Sequence, residues 1–112
     1  MKPQSAKAKG RNLQKYVVEK LIEKLGIHPE DIESRSMGAG GEDIIMSRAA
    51  RDKFPFSVEC KNTERLNLWD SLEQAQQNSG DHCPLLIFKR NRSEVYCCLK
   101  LDDLLKILQG ML

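Results

Sequence analysis

Between Phe54 and Lys61, apolar and polar side chains alternate with the period of two that a β-strand imposes. Phe54, Phe56, Val58 and Cys60 fall on one face, and Ser57, Glu59 and Lys61 on the other. Such a strand needs a core under its apolar face and holds an acid and a base together on its other face. Upstream, Gly40-Gly41-Glu42-Asp43-Ile44-Ile45-Met46 offers a second strand, with Asp43 sixteen residues before Glu59. Read as an antiparallel pair folding about Arg51 in the charged loop Ser47 to Lys53, the two runs set Asp43 opposite Glu59, Ile44 beside Val58 and Met46 beside Phe56. Cβ atoms so placed are about 4.5–5.5 Å apart, and like charges there are destabilising. The register therefore predicts a cation between two carboxylates. Glu42 falls on the opposite face and is expected as a strand-end charge turned to water, although a one-residue bulge would exchange it with Asp43.

At 112 residues the chain has the length of one domain with a modest core. Hydrophobic residues at 40% and charged residues at 30% fit a soluble globular protein, and no apolar run approaches the roughly 20 residues needed to span a bilayer. The basic start is not followed by an apolar segment, so the expectation is no signal peptide, no membrane, and an intracellular location. Cys60, Cys83, Cys97 and Cys98 lack C-x-x-C spacing, which argues against a zinc site or a disulfide framework and for reduced, mostly buried thiols. A net charge of +2 is too small to mark a nucleic-acid binder, but its distribution is informative. Lys2, Lys7, Lys9 and Arg11 cluster at the start and Lys89, Arg90 and Arg92 after an apolar strand, and both clusters suit phosphate contacts.

In chain order, residues 1–10 read as a flexible basic arm and residues 11–112 as the domain. A helix follows from about Arg11 to Leu25, with Leu13, Val17, Val18, Leu21, Ile22 and Leu25 on its apolar face. Gln14 interrupts that face, where an amide needs a partner. Gly26 stops the helix, and His28 to Asp31 turns into a short strand from Ile32 to Ser36. The loop Met37 to Gly41 is rich in glycine, so Gly40 and Gly41 allow close backbone approach to another molecule. A second helix is expected from Leu68 to Ser79 with Leu68, Trp69, Leu72, Ala75 and Gln76 facing inward. Pro84 to Phe88 is a continuous apolar run, the pattern of a strand covered on both faces. A turn, a strand from Glu94 to Leu99 and a closing helix from Leu101 to Leu108 complete the order α-β-β-β-α-β-β-α. The fold class is α/β, a central mixed sheet flanked by helices.

Two hard oxygen ligands with room for water suit Mg²⁺ or Mn²⁺, which bind through one or two carboxylates plus substrate phosphate. Asp43 and Glu59 would hold the ion, which would polarise a phosphoryl oxygen. Lys61 would orient or deprotonate the attacking water and offset charge in the transition state. This constellation resembles the PD-(D/E)XK nuclease superfamily, with Asp43 at its aspartate and Glu59-Cys60-Lys61 at its (D/E)-x-K. Glu42 stands where that family often has proline. The small size and the Lys9-Gly10 start are similar to compact, phage-type Holliday-junction resolvases, many of which carry a glutamate four residues after such a Lys-Gly; here that position is Gln14.

The resemblance implies a restriction-endonuclease-like core and a Mg²⁺-dependent DNA endonuclease acting on branched or junction DNA as a homodimer. It also implies the backbone carbonyl of Cys60 as a further metal ligand and a glutamine lining the site from the following helix. Helical phase favours Gln76 for that role, and resemblance to a Glu-Gln-Ala setting favours Gln74. A restriction-like or single-strand nuclease of the same fold, and a DNA-binding module without catalysis, are the alternatives.

Overall fold

The computed structural model describes residues 3–36 and 40–110, with side chains from residue 5 onward. Lys2 of the basic arm and Met37, Gly38 and Ala39 of the glycine loop lie outside the described residues. The first helix, α1, runs Pro3–Leu25, so it begins well before the expected start at Arg11 and takes in most of the segment read as a flexible arm. Alanine and lysine are good helix formers, and the carboxamide of Asn62 donates to the carbonyl of Lys9 at 3.2 Å, tying the early turns of α1 to the body of the protein.

The expected pairing of the strands around Asp43 and Glu59 is replaced by two other pairings. Strand β1 (Ile32–Ser34) pairs antiparallel with β2 (Ile44–Met46), Glu33 lying opposite Ile45. Strand β3 (Phe56–Asn62) pairs in parallel with β4 (Cys83–Lys89), Glu59 opposite Leu86, and β4 pairs antiparallel with β5 (Tyr96–Cys98). The segment read as a charged loop is a helix, α2 (Arg48–Lys53). Its N-cap is Ser47, whose hydroxyl accepts from the backbone N–H of Ala50 at 3.2 Å. A helix between β2 and β3 removes the hairpin. The two strands still meet at one point, where the backbone N–H of Asp43 donates to the carbonyl of Val58 at 2.9 Å.

The face assignment for β3 holds. Val58 and Cys60 are buried in one cluster with Leu13 and Val17 of α1, Ile32, Ile44, Met46, Leu85 and Ile87, with Phe54 and Phe56 packed against it. Ser57 and Glu59, also buried, point to the other side, where α3 (Leu68–Gln77) lies. That helix is the crossover a parallel β3–β4 pair requires. Its inward residues are Ser71 and Ala75, whose small side chains let it approach the sheet closely. Trp69, expected in the core, is 79% exposed and Leu68 is also exposed, because the helix is rotated to put its small residues inward. The run in β4 is covered on both sides as expected, Leu85, Leu86 and Ile87 all being buried. The closing helix α4 has the expected bounds, Leu101–Leu108. Of the four free cysteines Cys60 is buried and Cys97 exposed, so burial of the thiols is only partial. Among the described residues no helix is long and apolar enough to cross a membrane.

Candidate active site

Asp43 stands one residue before β2, where the β1–β2 ribbon touches the free edge of β3. In a strand the N–H and C=O groups of successive residues point to opposite edges, and those of Val58 and Cys60 both face away from β4. Val58 accepts from the backbone of Asp43, and the N–H of Cys60 donates to the Asp43 carboxylate, Oδ2, at 2.7 Å. The side chain of Asp43 thus takes the place a strand carbonyl would occupy. Its carboxylate is set beside that of Glu59, close enough for the two to share a hydrogen bond.

Burial raises the carboxyl of Asp43 above its ordinary range; the Cys60 N–H and the charge of Lys61 pull it partly back. Burial also raises Glu59, and the neighbouring charge of Asp43 raises it further, while a hydrogen bond from Asn78 opposes the shift. Lys61 Nζ lies 3.8 Å from Glu59 Oε2. Two raised, adjacent carboxylates, with Lys61 and Arg35 as the nearby positive charges, could hold a divalent cation. The donors fit a hard cation that uses few protein ligands. Among the described residues no group of three or more His, Cys, Asp or Glu side chains converges.

Glu42 does not turn to water. It is ion-paired with Arg51 of α2, both side chains being largely buried, and Arg51 Nη1 also donates to the carbonyl of Phe56 at 3.1 Å. The reason is α2 itself: coiling Ser47–Lys53 into a helix aims Arg51 back at the strand start. Glu42 and Asp43 therefore have separate partners, and Asp43 is the residue that joins Glu59.

Gln14 is buried on α1 beside Leu13. Gln74 and Gln76 are both exposed on α3, and Gln76 lines an apolar groove together with Trp69 and Leu72. Among the described residues, the α3-side group that reaches the acids is Asn78, whose Nδ2 donates to Glu59 Oε1 at 3.2 Å. Asn78 is the C-cap of α3. The polar run Gln77-Asn78-Ser79-Gly80 marks the helix end in the sequence, but nothing in it marks a contact with Glu59.

A second residue missed from sequence is Arg35. Its backbone N–H donates to the Asp43 carbonyl at 2.8 Å, its Nε donates to the Glu42 carbonyl, and its charge opposes the rise at Asp43. The guanidinium lies over Gly41, 3.4 Å from where a Cβ would sit, and Gly41 has φ of +94°. Pairing Ile32–Ser34 with Ile44–Met46 across the glycine loop would have identified it.

The basic residues approach the far end of the same strand. Lys7 and Arg11 are exposed on α1, and Arg90 and Arg92 are exposed in the β4–β5 turn. Asn62 joins Lys9 by a hydrogen bond, and a hollow of about 330 Å³ lined by Asn12, Asn62 and Lys89 lies between the two groups. Gly40 is exposed on the other side of Asp43.

The model of the family described as "phage putative PDDEXK endonuclease" matches residues 5–111, nearly the whole chain. No curated protein and no solved structure matches significantly.

Proposed function

From the premise that the chain belongs to the phage PDDEXK endonuclease family and has a restriction-endonuclease-like α/β fold, we propose that it is a divalent-metal-dependent DNA endonuclease whose active site is Asp43, Glu59 and Lys61. The observation that carries this is the meeting of Asp43 and Glu59 at the β3 edge with Lys61 Nζ 3.8 Å from the second acid. Asp43, Glu59 and the Cys60 carbonyl would hold Mg²⁺ or Mn²⁺, which when bound would supply Lewis-acid chemistry at the scissile phosphate. Lys61 positions or deprotonates the attacking water and offsets charge as it develops on the phosphate. Asn78 holds Glu59 in place, and Gln14 and Gln74 stand as further candidates for lining the site.

The DNA contacts follow the distribution of charge. Lys7, Lys9, Arg11, Lys89, Arg90 and Arg92 contact the DNA backbone on one side of the acids, and Gly40, Gly41 and Gln76 contact it elsewhere. The resemblance of the Lys9-Gly10 start to junction resolvases points to branched DNA, such as a four-way junction, as the preferred substrate, and two symmetric cuts require a homodimer.

Cleavage of a four-way junction, a linear duplex and a single strand of the same sequence, with Mg²⁺ or with chelator, tests this. Mg²⁺-dependent cutting of the junction in preference to the other two, lost in Lys61→Ala, is expected. Preference for duplex or single strand overturns the substrate and leaves the chemistry. No cutting of any DNA by a folded protein that binds DNA as Lys61→Ala does overturns the enzyme reading.

A further inference from the structure

Helix α4 turns its apolar face to water. At 100° per residue Leu101, Leu104, Leu105 and Leu108 share an arc of about 100°, and their exposures are 67%, 40%, 46% and 73%. Asp103 lies on the side toward the body, half-buried and within hydrogen-bonding reach of the Cys83 thiol. An amphipathic helix kept only for the stability of its own chain would turn the leucines inward and the aspartate outward. The stripe continues a wider apolar surface. Just before α4, at Lys100, a groove of about 730 Å³ opens between α3 and the strands β4 and β5, lined by Trp69, Leu72, Leu86 and Leu99.

We propose that α4 is a homodimer interface, the leucine stripe of one copy packing antiparallel on that of a second copy about a two-fold axis between Leu104 and Leu105. Two features select a second copy as the occupant. First, the apolar spacing is unchanged when read backwards. Leu101 of one copy meets Leu108 of the other, and Leu104 meets Leu105, which is the self-complementarity a two-fold interface requires. Second, the charges select the antiparallel arrangement. Asp102, exposed in the first turn of α4, and Lys106, exposed in the last, carry the charges free to meet a partner. An antiparallel pair sets each acidic end beside the other's basic end and opposes the helix dipoles, whereas a parallel pair would stack acid on acid.

The interface rests on the two-cut reading for its role, but its residues lie on α4 and not among the acids. The two therefore fail separately: a dimer that cuts no DNA overturns the nuclease alone, and a monomer that cuts DNA overturns the interface alone.

Sedimentation equilibrium of the full chain over a range of concentrations is the test. The wild type is expected at twice its 12.8 kDa mass. Leu104→Asp and Leu105→Lys should each weaken association at least about tenfold, which is about 1.4 kcal/mol, with an unchanged circular dichroism spectrum. Combining them should recover much of the loss, because an acid then faces a base in both symmetry-related contacts. Where Leu104→Asp fails to fold, Leu108→Asp replaces it as the dissociating variant, because little of that side chain touches its own chain. A wild type that is monomeric throughout, or single variants that stay dimeric, overturns the interface. A double variant no better than its parents overturns the antiparallel register.

Discussion

The carboxylate of Asp43 accepts a hydrogen bond from the backbone N–H of Cys60 at 2.7 Å, while the backbone N–H of Asp43 donates to Val58 at 2.9 Å. This double attachment fixes an acid at a strand edge, with its carboxylate beside that of Glu59. Asp43→Asn keeps the shape, removes the charge and weakens the bond to Cys60. Cleavage should fall by at least about 10²-fold. Glu42→Gln should retain most cleavage, because its partner is Arg51 and not the acids, but should cost about 1–3 kcal/mol of stability by weakening a largely buried ion pair. Measuring both variants for cleavage and urea unfolding decides between them; the opposite assignment would show that Glu42 is the ligand.

Asn78 donates to Glu59 Oε1 at 3.2 Å, so it acts on a bound cation only through Glu59. Outer partners of metal ligands typically contribute 10–100-fold in affinity. Asn78→Ala should weaken Mn²⁺ binding about 10-fold by calorimetry and raise the Mg²⁺ needed for half-maximal cleavage, with the rate at saturating metal largely retained. Equal metal affinity in the two proteins would make Asn78 a helix cap and nothing more.

The raised carboxyls of Asp43 and Glu59 give a signed pH dependence. Groups whose folded values lie above their unfolded ones bind protons more tightly in the folded state, so their contribution to stability falls as pH rises. The penalty is absent below the ordinary carboxylate range, about pH 4, and complete above the folded values. Melting curves in chelator should show Asp43→Asn gaining on the wild type as pH increases from 4 to 8, and Mg²⁺ should reverse the difference. A gap that stays constant with pH would refute the rise at Asp43.

Gly41 combines φ of +94° with an arginine 3.4 Å from the position a Cβ would take. Gly41→Ala should cost about 1–2 kcal/mol from backbone strain alone and displace Arg35 from beside Asp43. Chemical unfolding measures the first effect. A further loss of cleavage in Arg35→Ala, partly regained in Arg35→Lys, would assign the guanidinium charge a part in the site.

Long or strongly periodic segments were legible in the sequence, and short ones were not. The alternation from Phe54 to Lys61 placed Glu59 and Lys61 on one face, and the apolar run of β4 and the bounds of α4 followed from composition and helical period. The β1–β2 pairing was missed because strands of three residues carry too little alternation to fix a register. Helix α2 was missed because six charged and small residues resemble a loop until Ser47 is recognised as a cap. Asp43 and Glu59 nonetheless come together, since the β1–β2 ribbon reaches β3 through the same residue, Asp43, that the hairpin would have used. The outward position of Trp69 depends on how α3 rotates to bury Ser71 and Ala75, which hydrophobicity alone does not reveal. Gln14 is buried as its place on the apolar face of α1 requires; Gln14→Ala with unchanged rate and metal dependence would assign it to packing.

The central claim is that Asp43 and Glu59 hold one divalent cation between them. Isothermal titration of Mn²⁺ into the protein near neutral pH, wild type beside Asp43→Asn, tests it without depending on any DNA substrate. Saturable binding in the wild type that is lost in Asp43→Asn is the predicted result; equal binding in both, or none in a folded wild type, would contradict it.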